Sequence, residues 1–306
     1  DATSPRIGAA MTIPGYEQIK LRASWGQGFR APDMSDLYGL TSFSASSGKD
    51  HWGCEQVGQD PCPTRQFDTY IGSNPDLEAE ESETFSIGGD WDFMDNWMAG
   101  MTYWNLKLTN SIEYTSAQDQ LNVDYQSGGN NPAVQRDANG SVLEIAAGFQ
   151  NGVTDFEKDG LDFFVKGSIE TGFGNFLFAL NASKYLSYDY ELTYGTGELG
   201  DAAGTLGFPE WRSNGYVSWT MDSWNAALSV DYIGESEAKI GDDTYDGWHT
   251  INASVGYDIG SYGSIELGAS NITDEDPLLD AGGYMVDEYQ YPITGRVIYA
   301  EYTLEF

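Results

Sequence analysis

The chain has 306 residues, 48 of them acidic and 14 basic, for a net charge of −34. That charge excludes nucleic acid as a partner, because phosphate binding needs clustered cations, and no apolar run approaches the roughly 18 residues a membrane helix requires. Short alternating strands, as in a membrane barrel, escape the second exclusion. The acidity reads as solubility in a salty environment, or as provision for a cationic ligand or bound Ca²⁺.

Arg6 to Ile13 is predicted as a short strand, and Pro14-Gly15 turns the chain. Gln18 to Phe29 returns with Ile19, Leu21, Ala23 and Trp25 on one face and Lys20, Arg22 and Ser24 on the other. A polar segment, Arg30 to Glu80, holds Cys54 and Cys62 in CEQVGQDPC. A local pair closing a small loop suggests a disulfide and an oxidising compartment. Zinc fits less well, since two Cys leave its four positions unfilled and only His51 lies nearby. The opening DATSPRIGAA has neither the basic nor the apolar region of a signal peptide, so the chain is expected to be a mature or truncated product.

Thr84 to Phe93 alternates cleanly, with Phe85, Ile87, Trp91 and Phe93 opposite Thr84, Ser86, Asp90 and Asp92. Met94-Asp95-Asn96 turns into Trp97 to Tyr114. A second long segment, Thr115 to Glu157, contains GGNNP and DANG turn signals and a local strand at Val142 to Ile145. Gly160 to Glu170 and Asn175 to Tyr188 form the next pair around TGFG, the second placing Phe176, Phe178, Leu180 and Ala182 on one face. The polar stretch Asp189 to Glu210 leads to Trp211 to Met221 and Trp224 to Ile233, joined at Asp222-Ser223. Past an acidic loop, Gly234 to Gly247, come His249 to Ile259 and Ser264 to Ile272. The last loop, Thr273 to Thr294, precedes a closing strand whose Ile298, Ala300, Tyr302, Leu304 and Phe306 share a face.

The count is about eleven strands, with connections alternating short and long. Aromatics gather beside the short turns: Trp91, Phe93 and Trp97; Phe173 and Phe176; Trp219 and Trp224; Tyr257 and Tyr262. Short turns at one end, long loops at the other, and rings at a boundary describe an outer-membrane barrel. An odd count conflicts with the even number of bacterial single-chain barrels, and open edges in lipid leave backbone groups unsatisfied. A missing N-terminal portion is therefore expected to complete the barrel. Pairing of the closing strand with Arg6 to Ile13 would refute that expectation.

Three stretches carry a family resemblance: LRASWGQGFRAPDMSDLYG from Leu21 to Gly39, NPDLEAEESETFSIGGDW from Asn74 to Trp91, and NITDEDP at Asn271 through GRVIYAEYTLEF. Together they resemble the C-terminal half of the barrel of TonB-dependent outer-membrane receptors. There a GFRAP-like motif precedes an extracellular loop, an NPxLxPE-like motif starts the returning strand, an N-L-T-D-like motif closes the penultimate strand, and a Phe ends the chain. Ala79 stands where the family often has Pro. The resemblance implies an all-β transmembrane antiparallel barrel of about 22 strands. Residues 1–306 would be the C-terminal part of that single domain, with the plug, TonB box and first barrel half absent. It further implies a Gram-negative outer membrane with the long loops extracellular. The implied partners are membrane lipid, the TonB system through the missing N-terminal region, the barrel-assembly machinery reading Phe306, and a small nutrient.

No catalytic constellation is present: His51 and His249 are far apart, and GQGF at Gly26 precedes no helix, so an enzyme is not expected. Asp242, Asp243 and Asp246 in GDDTYDGW offer hard oxygen ligands for Ca²⁺ without EF-hand spacing, and a solvated acidic loop is the plainer alternative. No other cofactor is indicated. The polar residues Arg22, Asp90, Lys166, Asp231, Asp258 and Glu301 are expected to face the lumen, hydrating it or touching a plug. Candidate ligand residues are the loop aromatics and charges Trp52, Arg65, Tyr188, Tyr190, Tyr245, Trp248, Tyr284, Tyr289 and Tyr291, taken as exposed. Such rings suit sugars, peptides or aromatic chelators; loop packing or an outer girdle explains them equally. The expected function is import of a siderophore, cobalamin, oligosaccharide or peptide by TonB-dependent active transport. The alternatives are a passive porin or non-transporting surface-binding barrel, and a secreted all-β glycan-binding protein.

Overall fold

A computed structural model describes residues 3–191, 194, 199–238, 243–279 and 290–304. Eleven strands follow one another in a continuous antiparallel sheet. They are β1 (Arg6–Ile13), β2 (Tyr16–Arg30), β3 (Glu80–Met94), β4 (Trp97–Thr109), β5 (Phe156–Thr171), β6 (Gly174–Glu191), β7 (Trp211–Met221), β8 (Trp224–Ile233), β9 (Trp248–Asp258), β10 (Ser264–Ser270) and β11 (Val297–Thr303). The short strand Leu199–Asp201 adds to β6. Each strand pairs with its sequence neighbour, and the sheet is a partial barrel: β1 pairs with β2, β11 with β10, and among the described residues these two edges are not paired with each other. Among the described residues, the eleven-stranded closure that would have refuted the half-barrel expectation is not formed.

Residues opposite one another across a strand pair share a face, so the register tests the alternation. One row runs Val165, Leu180, Gly215, Val230, Ile251; another runs Val255, Leu267, Ala300. These rows form an apolar outer belt with large side chains left open, among them Ile87, Leu228, Leu267 and Ile298. The other face is polar and laced across strands. Arg22 donates to Asp90 and Thr102, both at 2.6 Å, Ser183 to Asp162 at 2.7 Å, and Asn214 to Asp231 at 2.6 Å. Tight turns close one end. Asn96 and Asp222 adopt φ of 62° and 50°, the left-handed region that Asn and Asp tolerate best after Gly. Rings crowd this end: Trp97 stacks on Phe178 at 5.7 Å, Trp224 meets Tyr257 at 4.7 Å, and the Trp219 indole donates to the Phe173 carbonyl at 2.7 Å.

Two expectations need correction. β2, β3, β5 and β6 have 15, 15, 16 and 18 residues, longer than their alternating stretches. Above the apolar belt the outer face turns polar, as at Asn105, Glu157 and Asp159, while the inner face gains Trp104, Leu106 and Leu108, so the apolar-out alternation of the belt no longer holds while the hydrogen-bonded ladder continues. The second correction concerns the segments Arg30 to Glu80 and Thr115 to Glu157, read as two separate polar loops. They fold together into one cap. Its sheet orders Ser42–Gly48, Arg65–Gly72, Val142–Asn151 and Ile112–Thr115, with Val134–Arg136 joined to Val142–Asn151. The parallel pairing of Arg65–Gly72 with Val142–Asn151 unites the two excursions. Helix Ala117–Gln126 begins with a reciprocal Ser116–Asp119 capping box and packs Ala117 and Leu121 on Val134 and Ile145.

Arg136 is the polar centre of the cap, 2.7 Å from Asp50 and 3.1 Å from Asp124, with its guanidinium 4.4 Å from the Trp52 ring. Cys54 and Cys62 form the expected disulfide, S–S 2.12 Å. Replacing both cysteines by Ser is expected to lower cap stability by about 2 kcal/mol, the loop-closure contribution of so short a ring. Hydrogen exchange of helix His51–Gln56 measures it. At the rim, Glu80 holds the cap to the wall, bonding Arg30 at 2.6 Å and the Ile112 N–H at 2.8 Å. Asp155 accepts from the Ser111 N–H at 2.9 Å.

Candidate ligand site on the inner wall

Near the long-loop end, β4, β5 and β6 place an aromatic cluster on the polar face. The register aligns Trp104 with Gly160 and Tyr185, Leu106 with Lys158 and Tyr188, and Leu108 with Phe156 and Tyr190. A regular strand would send Tyr185 and Tyr188 to opposite faces, since they are three residues apart. A bulge prevents this: Asp159 faces Ser187 and Gly160 faces Tyr185, so Leu186 has no partner on β5. The extra residue turns Tyr188 and Tyr190 onto the same side as Tyr185. Gly160 is required here, because a Cβ would lie 2.6 Å from the Trp104 ring.

The rings contact one another in sequence. Trp104 meets Tyr185 edge-on at 5.7 Å, Tyr185 lies 6.4 Å from Tyr188, and Tyr188 packs on Phe156 at 5.4 Å and Tyr190 at 6.0 Å. Phe208 closes over Tyr188 at 4.8 Å from the connection between β6 and β7. Backbone bonds hold that connection, the Ala202 N–H donating to the Tyr188 carbonyl and the Phe208 N–H to that of Thr205, both at 2.8 Å. Beside the rings opens a cleft of about 470 Å³ lined by Trp104, Asp162, Ser183, Tyr185, Phe208 and Arg212. Flat apolar faces beside a carboxylate, a hydroxyl and a guanidinium suit a ligand that combines ring or hydrocarbon surface with polar groups.

Of the sequence candidates, Tyr188 and Tyr190 belong to this cluster. Trp52 is in the cap under Arg136, and Arg65 is exposed there, donating to Gln59 at 3.1 Å. Tyr245 is half-buried on a small hairpin, paired with Ser236. Trp248 and Tyr291, taken as exposed, are 2% and 1% exposed. They meet edge-on at 5.4 Å and pack with Ile233 and Leu278, sealing the last connection against the wall. Their burial follows from the Trp248 indole reaching the Asp276 carbonyl at 2.9 Å, which lets the whole ring leave solvent. Tyr284, Tyr289, Asp242 and Phe306 lie outside the described residues. Asp243 and Asp246 are exposed, and among the described residues no three potential metal ligands come together. Sequence reasoning did not select Trp104, Phe156, Lys158, Tyr185 or Phe208. Phe156, Lys158 and Phe208 fell outside the strands read from the sequence, and the bulge that brings Tyr188 and Tyr190 to the side of Tyr185 and Trp104 leaves no mark in either strand's own pattern.

A family model described as "TonB dependent receptor-like, beta-barrel" matches residues 1–272. No curated protein matches the chain. Among solved structures, a variant ferric enterobactin receptor from Pseudomonas aeruginosa in complex with enterobactin is similar, with TM-score 0.67, 18% identity, and coverage of 97% of this chain and 40% of that one. The siderophore receptor PirA from Acinetobacter baumannii gives TM-score 0.67 at 15% identity, with the same 97% and 40% coverage. FpvA of P. aeruginosa bound to a pyoverdine gives 0.56 at 13%, covering 97% and 32%. At these identities the likeness is one of fold, and this chain spans about two-fifths or less of each of those chains.

Proposed function

We propose, for a chain that belongs to the TonB-dependent receptor-like β-barrel family, that it is the C-terminal part of an outer-membrane receptor importing a scarce nutrient by TonB-coupled active transport. The observation carrying this reading is the open eleven-stranded sheet with an apolar outer belt, a hydrogen-bonded polar inner wall and tight turns at one end. In this proposal residues 1–306 form one piece of a single barrel domain, with plug and first barrel half upstream. The belt faces lipid, and the capped end faces outward from a Gram-negative cell. The TonB system acts on the upstream region, the assembly machinery reads Phe306, and no nucleic acid or catalysis is involved. Ca²⁺ in the acidic loop around Asp243 and Asp246 is an occupant to be tested with the metal alone.

The inner-wall cleft and the aromatic cluster receive the ligand beneath the cap. Two of the similar solved structures are named as a ferric enterobactin receptor and as a siderophore receptor, which makes ferric siderophores the first substrates to test. A strain lacking the gene is expected to lose growth on the cognate ferric siderophore under iron limitation and to recover with the intact gene. Disabling TonB coupling is expected to abolish that recovery. Uptake that survives uncoupling identifies a passive porin. Purification without detergent, and gel migration unchanged by heating, identify a soluble protein.

A further inference from the structure

The inner-wall cluster already holds a cation. The Lys158 ammonium lies 4.9 Å from the centre of the Phe156 ring and 5.2 Å from that of Tyr188. Tyr190 and Phe208 back Tyr188 on its other sides. Lys20, Arg22, Arg30, Lys107, Arg136, Lys184 and Arg296 all form ion pairs. Among the described residues, none of the ion pairs includes Lys158, nor Arg6, Lys49, Arg65, Lys166 or Arg212, but of these Lys158 alone has its ammonium over two rings. In a chain with 48 acidic residues, this cation is met by ring faces instead of a carboxylate. Aromatic faces attract cations within about 6 Å through their quadrupole. The rings are fixed by strand pairing and by one another, whereas the lysine head ends a flexible four-carbon stem and can leave. A neighbouring cleft is lined by Glu210, Glu235 and Glu237. The chain's net charge of −34 biases it as a whole toward cations over anions.

We propose that Phe156 and Tyr188, backed by Tyr190 and Phe208, form a recognition cage for an organic cation. Lys158 occupies the cage in the free receptor, and a protonated amine or quaternary ammonium group of the transported compound displaces it. This rests on the cleft being the ligand site and deepens that reading by naming the ligand's class: a compound, or metal chelate, bearing an organic cation.

The test is a calorimetric titration of the full-length receptor in detergent with three probes: choline, its uncharged carbon isostere, and benzoate. Choline is expected to bind more tightly than either of the others. Lys158→Met removes the resident competitor and is expected to raise choline affinity by roughly two- to thirtyfold, the range of cation–π energies. Tyr188→Leu is expected to lower it by a similar factor. Unchanged or weaker choline binding in Lys158→Met overturns the proposal, as does equal binding of the isostere. Preference for benzoate that is lost in Lys158→Met also overturns it, assigning the lysine to anion capture. If Tyr188→Leu fails to assemble, the sign of the Lys158→Met change decides. Transport is not scored here, so failure of the import reading in the growth assay and failure of the cage are seen separately.

Discussion

Arg136→Met destabilises the cap by about 3–5 kcal/mol, the cost of leaving buried charges without their partner. The Arg136 side chain is 9% exposed, and the Asp124 carboxylate it neutralises is fully buried. The substitution also removes the cation over Trp52 and the bonds to Asp50. Methionine fills part of the space, so the loss is mainly electrostatic. Faster amide exchange throughout helix Ala117–Gln126, with β2 to β6 unchanged, is the expected signature. A second replacement, Asp124→Leu in the Arg136→Met background, restores part of the stability, because the orphaned carboxylate is gone. Equal exchange in Arg136→Met and the native chain would show that the network contributes nothing.

The same network makes the cap acid-sensitive. Burial alone pushes the Asp50 carboxyl up, but the Arg136 guanidinium and the Gly53 N–H together hold it below its ordinary value of 3.8. A carboxyl depressed in the folded state contributes stability that is present above its unfolded pKa and is lost as pH falls through the folded one. The cap is therefore expected to loosen below about pH 4, and this component of the acid response is absent in Asp50→Asn.

Leu228→Arg has the second large effect. Leu228 stands mid-strand in the apolar belt, opposite Val217 and Ala253. A cation there faces hydrocarbon if the belt lies in lipid, costing about 2–4 kcal/mol near the midplane. Its neighbour Ala227 is on the polar wall, opposite Ser218 and Ser254. Ala227→Arg is expected to cost under about 1 kcal/mol, since its guanidinium meets water. Folding into bilayers followed by denaturant titration measures both. Equal costs at these adjacent positions would contradict a lipid-facing belt.

Much of the barrel wall was legible because side-chain direction along a strand has a period of two, and that period belongs to each strand alone. Phe85, Ile87 and Trp91, or Trp224, Leu228 and Val230, declare their face without reference to any other segment. The turns at Asp95-Asn96 and Asp222-Ser223 were readable for the same reason, as residues that tolerate positive φ. The cap was not legible. Its apolar core is small, and Leu121, Val134 and Ile145 are scattered through polar sequence without a period. Its stability draws on a charge network whose members, Asp50, Asp124 and Arg136, come from two excursions. The candidate ligand residues divided accordingly: Tyr188 and Tyr190 converge on the inner wall, while Trp52, Trp248 and Tyr291 serve packing.

By itself the sequence determined the strand order, the two faces, the turn end and the local Cys54–Cys62 pairing, all consequences of short-range geometry. Only the tertiary structure decided which distant groups meet. A parallel pairing between Arg65–Gly72 and Val142–Asn151 made one cap from two loops. The one-residue bulge at Leu186 reversed the faces above it, bringing Tyr188 and Tyr190 to the side of Tyr185 and Trp104. A bulge is an offset between two strands, set by the partner's hydrogen bonds, so neither strand's own alternation can reveal it.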